Sequence, residues 1–236
     1  MARLLVLSLA ETNRRRDGYA IIARNIDDSK NGWVIIPSLE ESLMTINREN
    51  QWDIFAVTNS DIQRNPFANR NQVYKVSKSE YLPTMIKSPI TDNVLRNKIL
   101  NSLSSKKISE LSGQWVGILK DCIIEDIIFK AKTNENNLVP NQTFYWECRI
   151  LFSDSEGNSW DYNTVTGVVC KDMRFKAYWR DLFLTNREAF NEKKEKWINY
   201  MKQNHTYLLI EFIPHDYYGT IAMVSGVFCI KNEGIW

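Results

Sequence analysis

The chain has only two histidines, His205 and His215, and no two of its four cysteines stand at a CxxC spacing. A zinc centre needs closely spaced Cys and His ligands, so no familiar zinc signature is present. There is no GxSxG, and two histidines leave little room for a serine triad. The nine glycines form neither GxxxxGK[ST] nor GxGxxG, which removes the usual phosphate-cradling loops. No apolar run approaches the ~18 residues that a membrane span requires. Leu4–Ala10 is apolar and follows Arg3, but Glu11 ends it, and it reads as a first strand rather than a signal segment. Lys and Arg number 30 against 28 Asp and Glu, a net charge of +2. No global field favours nucleic acid, and any basic surface must be local. The expectation is a cytosolic protein without cofactor, metal or membrane. Cys122, Cys148, Cys170 and Cys229 read as reduced core thiols, and the sequons at Asn141 and Asn204 as chance matches.

What is present points to β-structure. The 236 residues suit one large domain or two small ones, and 44% of them are apolar, with aromatics at 12%. Arg3–Leu9, Tyr19–Ala23 and Trp33–Ile36 are short apolar runs separated by turn residues, which suggests a small barrel or sandwich. Trp52–Thr58 and Val73–Val76 are further strands, with Asp61–Asn71 as a loop. Thr91–Leu103 has helical spacing, with Thr91 as its cap and Val94, Leu95, Ile99 and Leu103 as its stripe. The polar Ser104–Lys107 stretch marks a boundary near 104–112, which gives domains 1–104 and 112–236.

The second half is organised around Phe144–Trp179. Phe144, Trp146, Cys148, Ile150 and Phe152 alternate with Tyr145, Glu147, Arg149 and Leu151, the period of a half-buried strand. Asp154–Asn158 supplies a turn, and Trp160–Thr164 reads as the returning strand of a hairpin. Its outer face would carry Tyr145, Glu147, Arg149, Asp161 and Asn163, a mixed surface and a poor platform for phosphates. Thr185-Asn186-Arg187-Glu188 has the form of a capping box opening a helix over 185–203. Tyr207–Ile213 and Ile221–Ile230 close the chain as strands.

Three segments carry candidate chemistry. Lys171, Arg174, Lys176 and Arg180 interleave with Phe175, Tyr178 and Trp179, the mixture a single-strand groove requires: rings for bases and cations for phosphates. The competing reading puts the three rings inside the fold. Arg14, Arg15 and Arg16 form a second basic cluster between the first two strands. Asp121, Glu125 and Asp126 are the carboxylates a metal-dependent nuclease would need, but they also read as an ordinary strand end. The expected function is a non-catalytic module binding single-stranded DNA or RNA. The alternatives are a protein-interaction subunit docking a partner enzyme and, behind it, a nuclease.

The order of segments resembles a prokaryotic family of dual OB-fold proteins. Arg3–Ser8, the Gly18–Ala23 strand and Gly32-Trp33-Val34-Ile35-Ile36-Pro37 are similar to that family's opening, with Ile36 where the family often has Arg. Arg48-Glu49-Asn50 looks like a short Glu-Asn element of the family. Phe144–Asp172 resembles its second-domain hairpin, with Gly167 after Val165-Thr166, and Tyr207–Phe212 with Ala222–Cys229 its closing pair. The resemblance implies a mainly β chain of two five-stranded OB barrels in tandem. It also implies a nucleic-acid role within a conflict or antiviral defence system, and no catalytic residue.

Overall fold

The computed structural model describes residues 1–11, 19–28, 32–77, 81–133, 144–160 and 166–232. The chain is mainly β, 48% strand and 23% helical, with four helices among the described residues. It divides into two compact units, Met1–Thr91 and Asp92–Trp236.

In the first unit β1 (Ala2–Glu11), β2 (Tyr19–Asn25) and β3 (Trp33–Leu39) form an antiparallel meander. The short helix α1 (Glu41–Met44) follows, then the two-residue strands β4 (Thr45–Ile46) and β5 (Glu49–Asn50). Asn47 and Arg48 join them, both at positive φ (52° and 68°), as a tight hairpin turn demands. β6 (Val57–Ser60) returns antiparallel to β1. β7 (Ile62–Arg64), inside the expected loop, pairs with β8 (Tyr74–Val76), and β9 (Thr84–Lys87) adds to β6. A single parallel bridge joins Ile35 of β3 to Val73, beside which the Ile35 N–H donates to the Gln72 carbonyl at 2.8 Å. Leu4, Val6, Ile21, Ala23, Val34 and Ile36 form the core with Trp52. Trp52 is fully buried because its indole N–H donates to the Leu43 carbonyl at 3.0 Å.

The second unit begins with α2 (Asn93–Ser102). Asp92, not Thr91, caps it, accepting from the Leu95 N–H at 2.7 Å. Leu100 is its buried residue, while Val94 and Leu95 of the expected stripe are exposed. The helix, expected before the boundary at 104–112, groups with the second unit, where Lys120 donates to Asn101 at 2.6 Å and the Tyr207 hydroxyl to Asn97. After β10 (Ser104–Ser105) and a 3-10 turn at Ile108–Leu111 come β11 (Val116–Lys120) and β12 (Ile123–Thr133). Asp121, at φ 57°, forms the corner between them.

β13 (Phe144–Ser153) is the strand its alternation predicts, but its partners differ from expectation. It pairs with β12 along its whole length, from Ser153–Ile123 to Phe144–Thr133, and with β14 (Val168–Val169) on its other side. The turn at Asp154 does form, its N–H donating to the Asn158 carbonyl at 2.8 Å. Trp160, the first residue of the expected return strand, is not in a strand. Residues 161–165, the rest of the expected return strand, lie outside the described residues.

Two helices follow, α3 (Met173–Thr185) and α4 (Phe190–Gln203). The expected capping box is absent. Thr185 is the last residue of α3, and its hydroxyl donates back to the Asp181 carbonyl at 2.8 Å. β15 (His205–His215) and β16 (Gly219–Ile230) form a long antiparallel hairpin, and β15 also pairs with β11. A parallel bridge links Cys170 to Val224, and the Lys171 N–H donates to the Val224 carbonyl at 2.7 Å. By their continuous ladders the sheets of both units are open. One face of the second unit packs on both helices through Ile127, Phe129, Ile150, Phe175, Trp179, Ile198, Leu208 and Val224. The four cysteines are free thiols.

Candidate functional site

The basic-aromatic segment is a helix, and the helix sorts it. Asp172 caps α3, accepting from the Arg174 and Phe175 N–H groups at 2.9 and 3.1 Å. With 3.6 residues per turn, Phe175, Trp179, Leu182 and Phe183 then share the face turned to the core. Trp179 is fully buried, with Phe190 at 5.4 Å and Phe175 at 5.9 Å between ring centroids. Phe175 and Lys176 are buried as well. Trp179 therefore has no face to offer a base, and the reading that puts the three rings inside the fold fits Phe175 and Trp179 but not Tyr178. Arg174, Tyr178 and Arg180 remain on the exposed side, and Tyr178 packs one edge against Trp197 at 5.6 Å. Lys171 is half-buried. Arg14, Arg15 and Arg16 lie outside the described residues, in the connection from β1 to β2.

The carboxylates do not converge. Asp121 forms the β11–β12 corner, and Asp126 pairs with Lys194 at 2.9 Å. The β12 ladder shifts register at the exposed Glu125. Among the described residues no three His, Cys, Asp or Glu side chains come together as a metal-holding group.

The outer face of β13 is held by its own ion pairs. Glu147, buried, meets Lys132 at 2.9 Å and Arg149 at 3.1 Å. Burial pushes this carboxyl up, but the hydrogen bonds and charges of Lys132 and Arg149 outweigh it and leave the group below the ordinary range. Arg149 is further tied to the Gly167 carbonyl at 3.0 Å. These cations serve the fold.

Rings more exposed than Tyr178 lie elsewhere, Phe67 in the first unit and two tyrosines of the second among them. Tyr217 and Tyr218, at the tip of the β15–β16 hairpin, are 83% and 63% exposed. Their rings meet edge to face at 4.8 Å, and Tyr218 lies against His215 at 5.1 Å. The tip is held because His215 Nδ1 accepts from both tyrosine N–H groups, at 3.2 and 3.3 Å. Two residues beyond Tyr218, Thr220 lines a recess of about 370 Å³ walled by Ile108, Leu111, Trp115, Trp160 and Phe212. Trp160 stands edge to face with both Phe152 and Phe212 at 5.9 Å.

No family model matches the chain, and no curated protein matches it.

The tyrosine tip was missed in the sequence, where the connection between Ile213 and Ile221 reads only as a turn containing Pro214 and Gly219. The available signal was two aromatics in a turn that needs none. The recess had no local signal, because its walls come from the 3-10 turn and the residues that follow it, from β15 and β16 and from Trp160.

Proposed function

We propose that the chain is a non-catalytic module that binds single-stranded nucleic acid and is built as two OB-type barrels in tandem. Strand connectivity supports the barrels. In the second unit β11 and β12 serve as one bent first strand. It pairs antiparallel with β13, β13 with β14, and β15 with both β11 and β16. The helices fall between the third and fourth strands, and the Cys170–Val224 bridge sets the third parallel to the fifth. That order fits the five-stranded Greek key of an OB barrel and supports this reading. The first unit follows the same order through β1, β2, β3, β6 with β7, and β8, with α1 in the helix position and the Ile35–Val73 bridge in the closing position.

The observation that carries the function is the exposed pair Tyr217 and Tyr218. They occupy the connection between the fourth and fifth strands, one of the two loops that grip oligonucleotides in this architecture. Arg14–Arg16 occupy the matching connection between the first and second strands of the first unit.

Anisotropy titration of labelled single-stranded DNA and RNA at several salt concentrations tests the reading. Tyr217→Ala or Tyr218→Ala should weaken binding about tenfold, with an unchanged urea midpoint. Reversing the charge of Arg14, Arg15 and Arg16 should instead flatten the salt dependence, by a slope of up to ~1 per lost contact. Absence of binding by the intact chain at low salt would refute the reading.

A further inference from the structure

We infer that the recess beside the tyrosine hairpin seats one nucleobase of the bound strand. The inference rests on the single-strand reading and names a pocket for it. The recess, about 370 Å³, falls within the roughly 300–1,000 Å³ of small-molecule sites. Trp115, Trp160 and Phe212 supply flat walls, and a base offers a π-face to each. Ser109, Ser112 and Thr220 line it with hydroxyls, and Gln114, whose amide nitrogen donates to the Glu110 carbonyl at 2.9 Å, adds its amide oxygen; these are donors and acceptors suited to the edge of a neutral heterocycle. No lining side chain is charged, so the site fits the base and leaves the phosphate outside. The Thr220 N–H donates to the Tyr218 carbonyl at 2.8 Å, which joins the recess directly to the exposed tyrosines. A strand stacked on Tyr217 and Tyr218 would therefore have its next base over the opening.

Two blocking substitutions test this without removing a core ring. Ser112→Trp and Thr220→Trp each put a bulky ring into the recess from an exposed position and keep the backbone hydrogen bonds made there. The intact chain would be titrated with free ribonucleosides, read by quenching of tryptophan fluorescence, and with labelled single-stranded oligonucleotides, read by anisotropy. Nucleoside quenching by the wild type, lost in both variants, with strand binding weakened about tenfold at an unchanged melting temperature, is the expected result. No quenching, with both variants binding strands like wild type, overturns the base site and leaves the single-strand reading standing. Quenching by nucleosides without strand binding keeps the recess as a base site and removes the single-strand reading. Quenching by a proline- and tyrosine-rich peptide, and not by nucleosides, gives the recess to a protein partner and overturns the assignment.

Discussion

Replacing Asp172 should destabilise the second unit more than any surface position, and by an amount that depends on pH. Its carboxylate is 1% exposed and accepts three backbone N–H groups. Two belong to the first turn of α3, and the third is Val227 of β16, at 2.8 Å. Asp172→Ala removes the helix cap, worth about 1 kcal/mol. It also strands the Val227 N–H, at about 1–3 kcal/mol. The expected loss is about 2–4 kcal/mol in urea titrations followed by tryptophan fluorescence. Asp172→Asn keeps the cap, because Asn serves there as well as Asp, and loses mainly the Val227 bond. Burial pushes the Asp172 carboxyl above its ordinary range, and the Arg174 charge and the N–H donors pull it back only in part. A folded pKa above the unfolded one means that this group's stabilisation is full below the unfolded pKa and is lost as pH rises through the folded one. Asn does not titrate, so the deficit of Asp172→Asn should be largest in acid and shrink toward neutrality. A loss under about 1 kcal/mol for Asp172→Ala, or a deficit for Asn that grows with pH, would refute this account.

Trp179→Ala should cost about 3–5 kcal/mol, because it empties the centre of the aromatic pack, whereas Thr185→Ala should stay within ~0.5 kcal/mol; equal effects in urea would show that α3 is misplaced. Glu147→Gln should cost about 1–3 kcal/mol at neutral pH, since it leaves Lys132 and Arg149 facing a neutral amide. Its folded pKa is depressed, so the wild type's advantage should be present above the unfolded pKa and fade as pH falls through the folded one; a pH-independent gap in thermal melts would contradict it.

Strands with strong alternation were legible in the sequence, and their partners were not. Phe144–Ser153 announces itself by period two, but that period does not say whether the neighbour precedes or follows. The Asp154 turn suggested a partner that follows. The partner along its whole length precedes it, because β12 has a matching apolar face in Ile127 and Phe129. Helix α3 was legible too, since Asp172 can cap and Phe175, Trp179, Leu182 and Phe183 repeat at helical spacing. Reading 171–180 for its charges hid that period. Of the candidate site, the cations could be found by inspection. The exposure of Tyr217 and Tyr218 could not, because it depends on where two long strands stop and turn.

The pairing of β11 with β15 has a consequence for how this chain is made. Lys120 finds its neighbour in Tyr207, near the far end of the sequence. The β12–β13 ladder and both helices connect residues that leave the ribosome earlier, and they can begin to order while synthesis continues. β11 must wait with an unsatisfied edge until β15 emerges, and closing so long a loop is slow. The nascent second unit therefore passes through a stage in which Val116–Lys120 is exposed to wrong partners. A polypeptide released before residue 205 should aggregate through that edge rather than fold.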